Sequence, residues 1–154
     1  MENNLLYTSE ELADIKRARD IKELQDIARR LIYRMIMENG NVRMICAPID
    51  VCDGINKKVK LHSLLNYDER QKLLNHNIFS YVPFIKRAAE ILGCPFPEAL
   101  YAMYHPFFYG FIHTGWIEEY YFMPGWEDSP FCQWIVGQAR QKRHNRKIIM
   151  WLEE

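Results

Sequence analysis

The stretch ALYAMYHPFFYGFIHTGWI, residues 99 to 117, contains nineteen residues without one Asp, Glu, Lys or Arg. Its length matches the roughly twenty residues that span a bilayer. Its composition does not fit a span, because its tyrosines and histidines need hydrogen-bond partners and Pro106 and Gly110 interrupt the run. We therefore predict a buried segment of a water-soluble protein, with tyrosine hydroxyls reaching water at its edge.

The length and composition of the chain favour a single soluble domain that spans residues 1–154. The chain is 49% apolar and 26% charged, close to the average for globular proteins. Twenty basic side chains balance twenty acidic ones, so no long-range field attracts nucleic acid or anionic lipid. The four cysteines lack CxxC or zinc-finger spacing, and the N-terminus lacks the pattern of a secretory signal. We predict a cytoplasmic protein with free thiols, no cofactor and no membrane partner.

Helical signals dominate the chain. Thr8 and Glu11 form a capping box, and apolar residues recur at threes and fours from Ile21 to Met35. Whether this region holds one helix or two that meet near Asp20 is left open. Further helices are predicted at residues 66–75, 80–93 (with Ser80 as its cap), 94–104 and 114–122, and from Ser129 nearly to the C-terminus.

Residues 41–61 lose the helical period, and Asp53-Gly54 is a dipeptide typical of tight turns. Pro48 argues for a sheet edge or a loop instead. The fold class that we predict is mainly α, a single compact domain of about five to seven helices with a small β-hairpin near residues 42–61.

Catalytic signatures are absent from the sequence: it has no GxSxG, phosphate-binding loop or HExxH. His105 and His113 are eight residues apart, which on an unbroken α-helix places them about 80° apart. With Glu98, Glu118 and Glu119 they offer a metal, haem or small-ligand site as one hypothesis, and a use in enzymatic chemistry stays open. The simpler interpretation is a pair of hydrogen-bonded histidines beside an aromatic core, without a metal.

Aromatic residues are unusually dense between Phe96 and Trp126, where twelve of the 21 in the chain lie. One helix face cannot bury so many rings, so we expect some of those at 120–126 to stay partly exposed. Exposed rings are typical of surfaces that bind proteins. The predicted aromatic contacts are Trp116, Tyr120, Tyr121, Phe122 and Trp126.

Basic residues are clustered near the C-terminus, which is the second uneven feature of the composition. If the chain is helical there, Arg140, Arg143 and Lys147 form a single stripe that suits phosphates or an acidic protein surface. The alternative is a solvated helix face. Together these patterns predict a small non-enzymatic protein that binds a macromolecule, as a regulator or inhibitor or an accessory protein of a phage or other mobile element. A protein is the preferred partner, nucleic acid bound through Arg140–Lys147 is the alternative, and self-association stays open.

Overall fold

The computed structural model describes residues 7–51, 77–113, 116–141 and 147–150, and helices dominate these ranges. They contain six α-helices: α1 (Ser9–Arg17), α2 (Ile21–Asn39), α3 (Val82–Leu92), α4 (Phe96–Ala102), α5 (Gly110–His113) and α6 (Pro130–Ala139). A π-helix (Tyr104–Tyr109) joins α4 to α5, and a 3₁₀ turn (Trp126–Asp128) precedes α6. The three strands are β1 (Val42–Cys46), β2 (Ile117–Phe122) and β3 (Lys147–Met150). The mainly α class is confirmed.

The N-terminal region holds two helices, which settles the question left open by the sequence. Thr8 Oγ1 accepts a hydrogen bond from the Glu11 amide, and the Glu11 carboxylate accepts one from the Thr8 amide, as the capping box predicts. The Asp20 side chain accepts from the Glu23 amide at the start of α2. Each helix therefore has its own N-cap, and the chain turns between Arg17 and Ile21.

The strands form a parallel sheet in the order β1-β2-β3. On its other side β1 pairs with residue 78, because the Arg43 amide donates to Asn77 O and the Phe79 amide donates to Arg43 O. The strand within the predicted hairpin is thus real, but both of its neighbours lie far along the chain. The predicted turn and second strand of the hairpin, 52–61, lie outside the described residues.

The helix predicted at residues 114–122 is wrong where the structure describes it, because residues 117–122 form β2. The segment is rich in isoleucine, tyrosine and phenylalanine, which fit a pleated sheet better than a helix. Tyr120 and Phe122 are buried on one face of the strand, while Glu119 and Tyr121, which alternate with them, are half-buried. This alternation has the period of two that a strand requires.

Two helix boundaries also differ from prediction. Ser129 caps α6 and Pro130 is its first residue, as predicted, but α6 ends at Ala139 and the chain later enters β3. Helix α3 is preceded by Tyr81, which makes no side-chain cap bond, so the predicted Ser80 cap is wrong. The Ser80 backbone instead bonds with the Tyr7 hydroxyl. The helix predicted at 66–75 lies outside the described residues.

The core is formed by the inner faces of α2, α3 and α6 together with the sheet. Its largest fully buried side chains include a cluster of rings in mutual contact: Phe79, Tyr81, Phe84, Phe107, Phe108 and Phe131. Such a cluster supplies much of the buried apolar area of a domain of this size. Within the described ranges, every helix is too short or too polar to cross a bilayer.

Candidate functional site

The carboxyl ends of β1 and β2 meet at one edge of the sheet, where parallel α/β sheets generally bind their ligands. The Met123 amide donates to Cys46 O at 3.0 Å, which joins the chain leaving β2 to the end of β1. Gly125 has a φ of 92°, and a Cβ there would lie 3.3 Å from Pro48 Cγ. A residue with a side chain would be strained at this turn, so glycine allows the two loops to touch.

Asp50 fixes both loops to the N-terminus of α6. This buried carboxylate accepts from the Ser129 hydroxyl at 2.5 Å, from the Phe131 amide at 2.9 Å and from the Tyr101 hydroxyl at 3.4 Å. Ser129 Oγ in turn accepts from the Cys132 amide. The carboxylate lies at the N-terminus of α6, where backbone and hydroxyl donors and the helix dipole interact favourably with a negative charge.

The π-helix follows from the proline in its middle. Pro106 has no amide hydrogen, and its ring clashes with the carbonyl four residues earlier in a regular α-helix. The chain widens here, and the Phe108 amide donates to Met103 O, five residues back. On the buried side, Gln25 Nε2 of α2 donates to Phe107 O at 3.3 Å. A Cβ on Gly110 would lie only 2.7 Å from the same nitrogen, which is too close. Gly110 therefore lets α2 approach this turn.

The π-helix also sets the direction of a stripe of rings spaced four residues apart, Tyr101, His105, Tyr109 and His113. A step of four residues overshoots an α-helical turn of 3.6 residues and falls short of a π-helical turn of about 4.4 residues. The angular drifts have opposite signs and partly cancel along residues 101–113. Both imidazoles consequently contact the Tyr109 ring, which corrects the 80° separation expected for an unbroken helix.

Six rings on this side of the molecule form a continuous set that we call the aromatic row: Tyr101, Tyr104, His105, Tyr109, His113 and Trp134. The centroids are 5.8 Å apart for Tyr101 and Tyr104, and 4.6 Å for the stacked Tyr104 and Trp134. Trp134 meets His105 at 5.9 Å, and Tyr109 lies 5.4 Å from His105 and 4.1 Å from His113.

The row is accessible as well as continuous. Tyr101 and Tyr109 expose 41% and 38% of their surface, and His105 is exposed too. Tyr104, His113 and Trp134 are half-buried and connect the row to the molecule. His113 Nε2 lies 2.6 Å from Gln138 Oε1, so α6 supports the far end of the row as Asp50 supports the near end.

Tyr101 and Tyr104 stay protonated at neutral pH, because the pKa of each hydroxyl is raised. Burial raises the pKa of the Tyr101 hydroxyl, and the carboxylates of Asp50 and Glu98 raise it further. The pKa of Tyr104 is raised strongly, mainly by burial and then by Asp50. Its hydroxyl is buried and has no hydrogen-bond partner among the described residues. These groups are therefore hydrogen-bond donors or acceptors rather than bases.

The predicted aromatic contacts at 116–126 have mixed positions. Tyr120 and Phe122 are completely buried, so neither is available to a partner in this conformation. Tyr121 is half-buried on the opposite face of β2, where its hydroxyl donates to Glu119 at 2.9 Å. Trp126 is half-buried with its ring centroid 5.7 Å from that of Phe122. Partial exposure of some of these rings, as expected, therefore holds for Tyr121 and Trp126.

Trp116 belongs to a separate surface. Its half-buried ring lies 6.3 Å from the ring of Tyr33 on α2, which is 56% exposed, and Met37 follows one helical turn later. Tyr33, Met37 and Trp116 thus form a small apolar patch. Of the five predicted aromatic contacts, Trp116 is the one that lies beside large exposed apolar side chains.

The predicted helical stripe of Arg140, Arg143 and Lys147 does not form. Arg140 is exposed at the C-cap of α6, whereas Lys147 lies in β3, in register with Glu119. Arg143 lies outside the described residues. Because Arg140 and Lys147 belong to different elements, the regular spacing of a helix face does not align them.

The structure does not support the hypothesis of a metal site at His105 and His113, because no set of ligands surrounds them among the described residues. Among the described residues no group of three or more His, Cys, Asp or Glu side chains is placed to hold a metal ion. In the part of the chain that the structure describes, Cys46, Cys94 and Cys132 form no disulfide, and burial raises the pKa of Cys132 to about 12. A thiol with that pKa is protonated at neutral pH and is a poor nucleophile.

Sequence reasoning missed the exposed tyrosines of the row, Trp134 and the role of Asp50. The four-residue spacing of Tyr101, His105, Tyr109 and His113 was a visible signal, but Pro106 appeared to interrupt it. Asp50 gave no local signal, because its partners lie fifty to eighty residues away.

Comparison of the chain with models of known protein families, with curated proteins and with solved structures finds no match. Evidence for its function therefore comes from its own residues.

Proposed function

We propose that this chain is a non-enzymatic protein of the cytoplasm that binds another protein, as a regulator or inhibitor, and holds it on the aromatic row. The observation that carries the proposal is a continuous set of six rings, three exposed and three half-buried, that is held at both ends by Asp50 and by Gln138. Tyrosine and tryptophan that are already held in place contribute large contact areas at low entropic cost.

The composition around the row supports a protein partner over nucleic acid. No Asp, Glu, Lys or Arg occurs at residues 99–117 or 129–139, the two segments that form this surface. A nucleic acid requires positive charge along its phosphates. The charges that act on the Tyr101 hydroxyl, Asp50 and Glu98, have the opposite sign.

The proposal is tested by capture from the native host with matched variants. The immobilised full chain is compared with a His105→Ser/Tyr109→Ser variant, which changes two exposed rings of the row, and with Tyr33→Ser, which changes the exposed ring beside Trp116. We expect mass spectrometry to identify a protein retained by the unchanged chain and by Tyr33→Ser, and lost from the double variant. Equal retention by all three would contradict a role for the row. Loss from Tyr33→Ser alone would move the binding surface to Trp116.

A further inference from the structure

The charge around the aromatic row is polarised along its length. α6 begins beside Tyr101, because Asp50 bonds to both Phe131 and Tyr101, and it ends beside His113, which contacts Gln138. The row therefore lies along α6 from the N-terminus of that helix to its C-terminus.

Three exposed carboxylates lie at the Tyr101 end of this surface: Glu98, Glu127 and Asp128. None of the three forms an ion pair with a basic side chain in the part of the chain that the structure describes. The exposed Arg140 lies at the opposite end. Carboxylates at a helix N-terminus also stabilise the helix, but that role leaves their outer faces in water. The uncharged row is thus bounded by acidic groups at one end and a basic group at the other.

From this arrangement, and resting on the proposed function, we propose that the row binds an extended proline-rich segment in the polyproline II conformation, with a lysine or arginine at the Tyr101 end. A polyproline II helix makes no internal hydrogen bonds, so its carbonyls are free to accept. The Tyr109 hydroxyl and the Trp134 indole are donors beside apolar ring faces, which is how proline-rich segments are recognised.

The length of the row fixes the length of the segment. Tyr101 and His113 are twelve positions apart, which would span about 18 Å along a regular α-helix and spans somewhat less here, because a π-helical turn rises less per residue. A polyproline II helix rises about 3.1 Å per residue, so about six residues cover the row. A basic residue just before or after those six meets the carboxylates beside Tyr101.

Nuclear magnetic resonance of the full chain tests this inference with three synthetic peptides. The probes are two arginines followed by six prolines, two glutamates followed by six prolines, and two arginines followed by three Gly-Ser pairs. The readout is the indole N–H resonance of Trp134, assigned by loss of the signal in Trp134→Phe. We expect the Arg-proline peptide at about 1 mM to shift this resonance and those of the His105 and His113 rings, while the Trp116 indole stays in place.

Matched variants separate the contributions of charge and rings. Glu98→Gln is expected to weaken the Arg-proline peptide several-fold, and His105→Ser/Tyr109→Ser to abolish the shifts, while Tyr33→Ser leaves them unchanged. Equal shifts with the Gly-Ser peptide or with the Glu-proline peptide would overturn the inference, and so would the absence of any shift. If the host protein is still captured through the row but the Arg-proline peptide does not bind, this inference fails and the proposed function stands.

Discussion

The rings of β2 and those of the aromatic row have similar chemistry but differ in exposure to solvent. Tyr120 and Phe122 lie two residues apart on a strand, point to the same face and are fully buried. Tyr101 and Tyr109 lie on a helical stripe with a spacing of four and remain exposed. The sequence suggested the reverse, with exposed rings at 120–126 and buried ones at 99–117. Aromatic density alone therefore does not distinguish core from surface. The periodicity of the segment and what packs against it decide the outcome.

The largest effect on stability is expected at Phe122. Replacing this fully buried ring by alanine removes a core contact and leaves a cavity, which costs about 3–5 kcal/mol of the free energy of unfolding. Equilibrium denaturation in urea measures the change. A cost below about 1 kcal/mol would show that the β2 rings are not core residues, and the contrast with the row would disappear.

The next effect is expected at Asp50, which joins the two regions. Asp50→Ala leaves the Ser129 hydroxyl and the Phe131 amide without their buried acceptor, at a cost on the order of 3 kcal/mol. Glu98→Gln is the matched control, because its carboxylate is exposed and its removal should change stability by about 0.5 kcal/mol or less. The same urea titration compares them. Equal stability of the two variants would contradict the role of Asp50 in holding both loops to α6.

The fold was more predictable than the site, for reasons that particular residues show. Helices α1, α2 and α6 could be predicted from local sequence. Their N-caps Thr8, Asp20 and Ser129 each accept a hydrogen bond from the amide three residues later. The parallel sheet depends on pairing between distant segments: Val42 pairs with Ile117, 75 residues later, and Glu119 with Lys147, 28 residues later. A single sequence gives no local sign of such pairing.

The site was less predictable because a proline has two possible outcomes inside a helical pattern. The predicted helix at 94–104 ends before Pro106, and on that basis the regular spacing of Tyr101, His105, Tyr109 and His113 had no structural meaning. The chain instead adopts a π-helix, supported by Gln25 of α2, and the stripe continues through it. The supporting contact comes from a residue 82 positions earlier in the chain, so residues 99–113 alone give no sign of it.

Alkaline pH gives a smaller effect, which depends on the burial of the Cys132 thiol on α6. Burial raises the pKa of Cys132 from 9.0 to about 12 and that of Tyr104 in the same direction. Because the folded state favours the protonated thiol, this contribution is complete below pH 9 and is lost progressively as the pH rises from 9 to 12.

For Cys132 the loss amounts to about 1.4 kcal/mol by pH 10. Unfolding free energies measured at pH 7 and at pH 10 test this, with Cys132→Ala as the control whose pH dependence should be shallower. An identical pH dependence in the two proteins would show that water reaches this thiol in the folded state.

The smallest effect on stability is expected at Tyr109, where the change in binding should be largest. Tyr109→Ser removes the ring between His105 and His113 but opens no cavity, and serine and tyrosine have similar helix propensities. We expect a cost of about 0.5–1 kcal/mol, the usual range for an exposed ring contact. A cost close to that of Phe122→Ala would mean that the row serves as core, because a ring needed for folding is not free to bind a partner. A small loss of stability together with loss of the captured protein would instead assign different roles to the two sets of rings. The β2 rings would then serve the fold, and the aromatic row would serve binding.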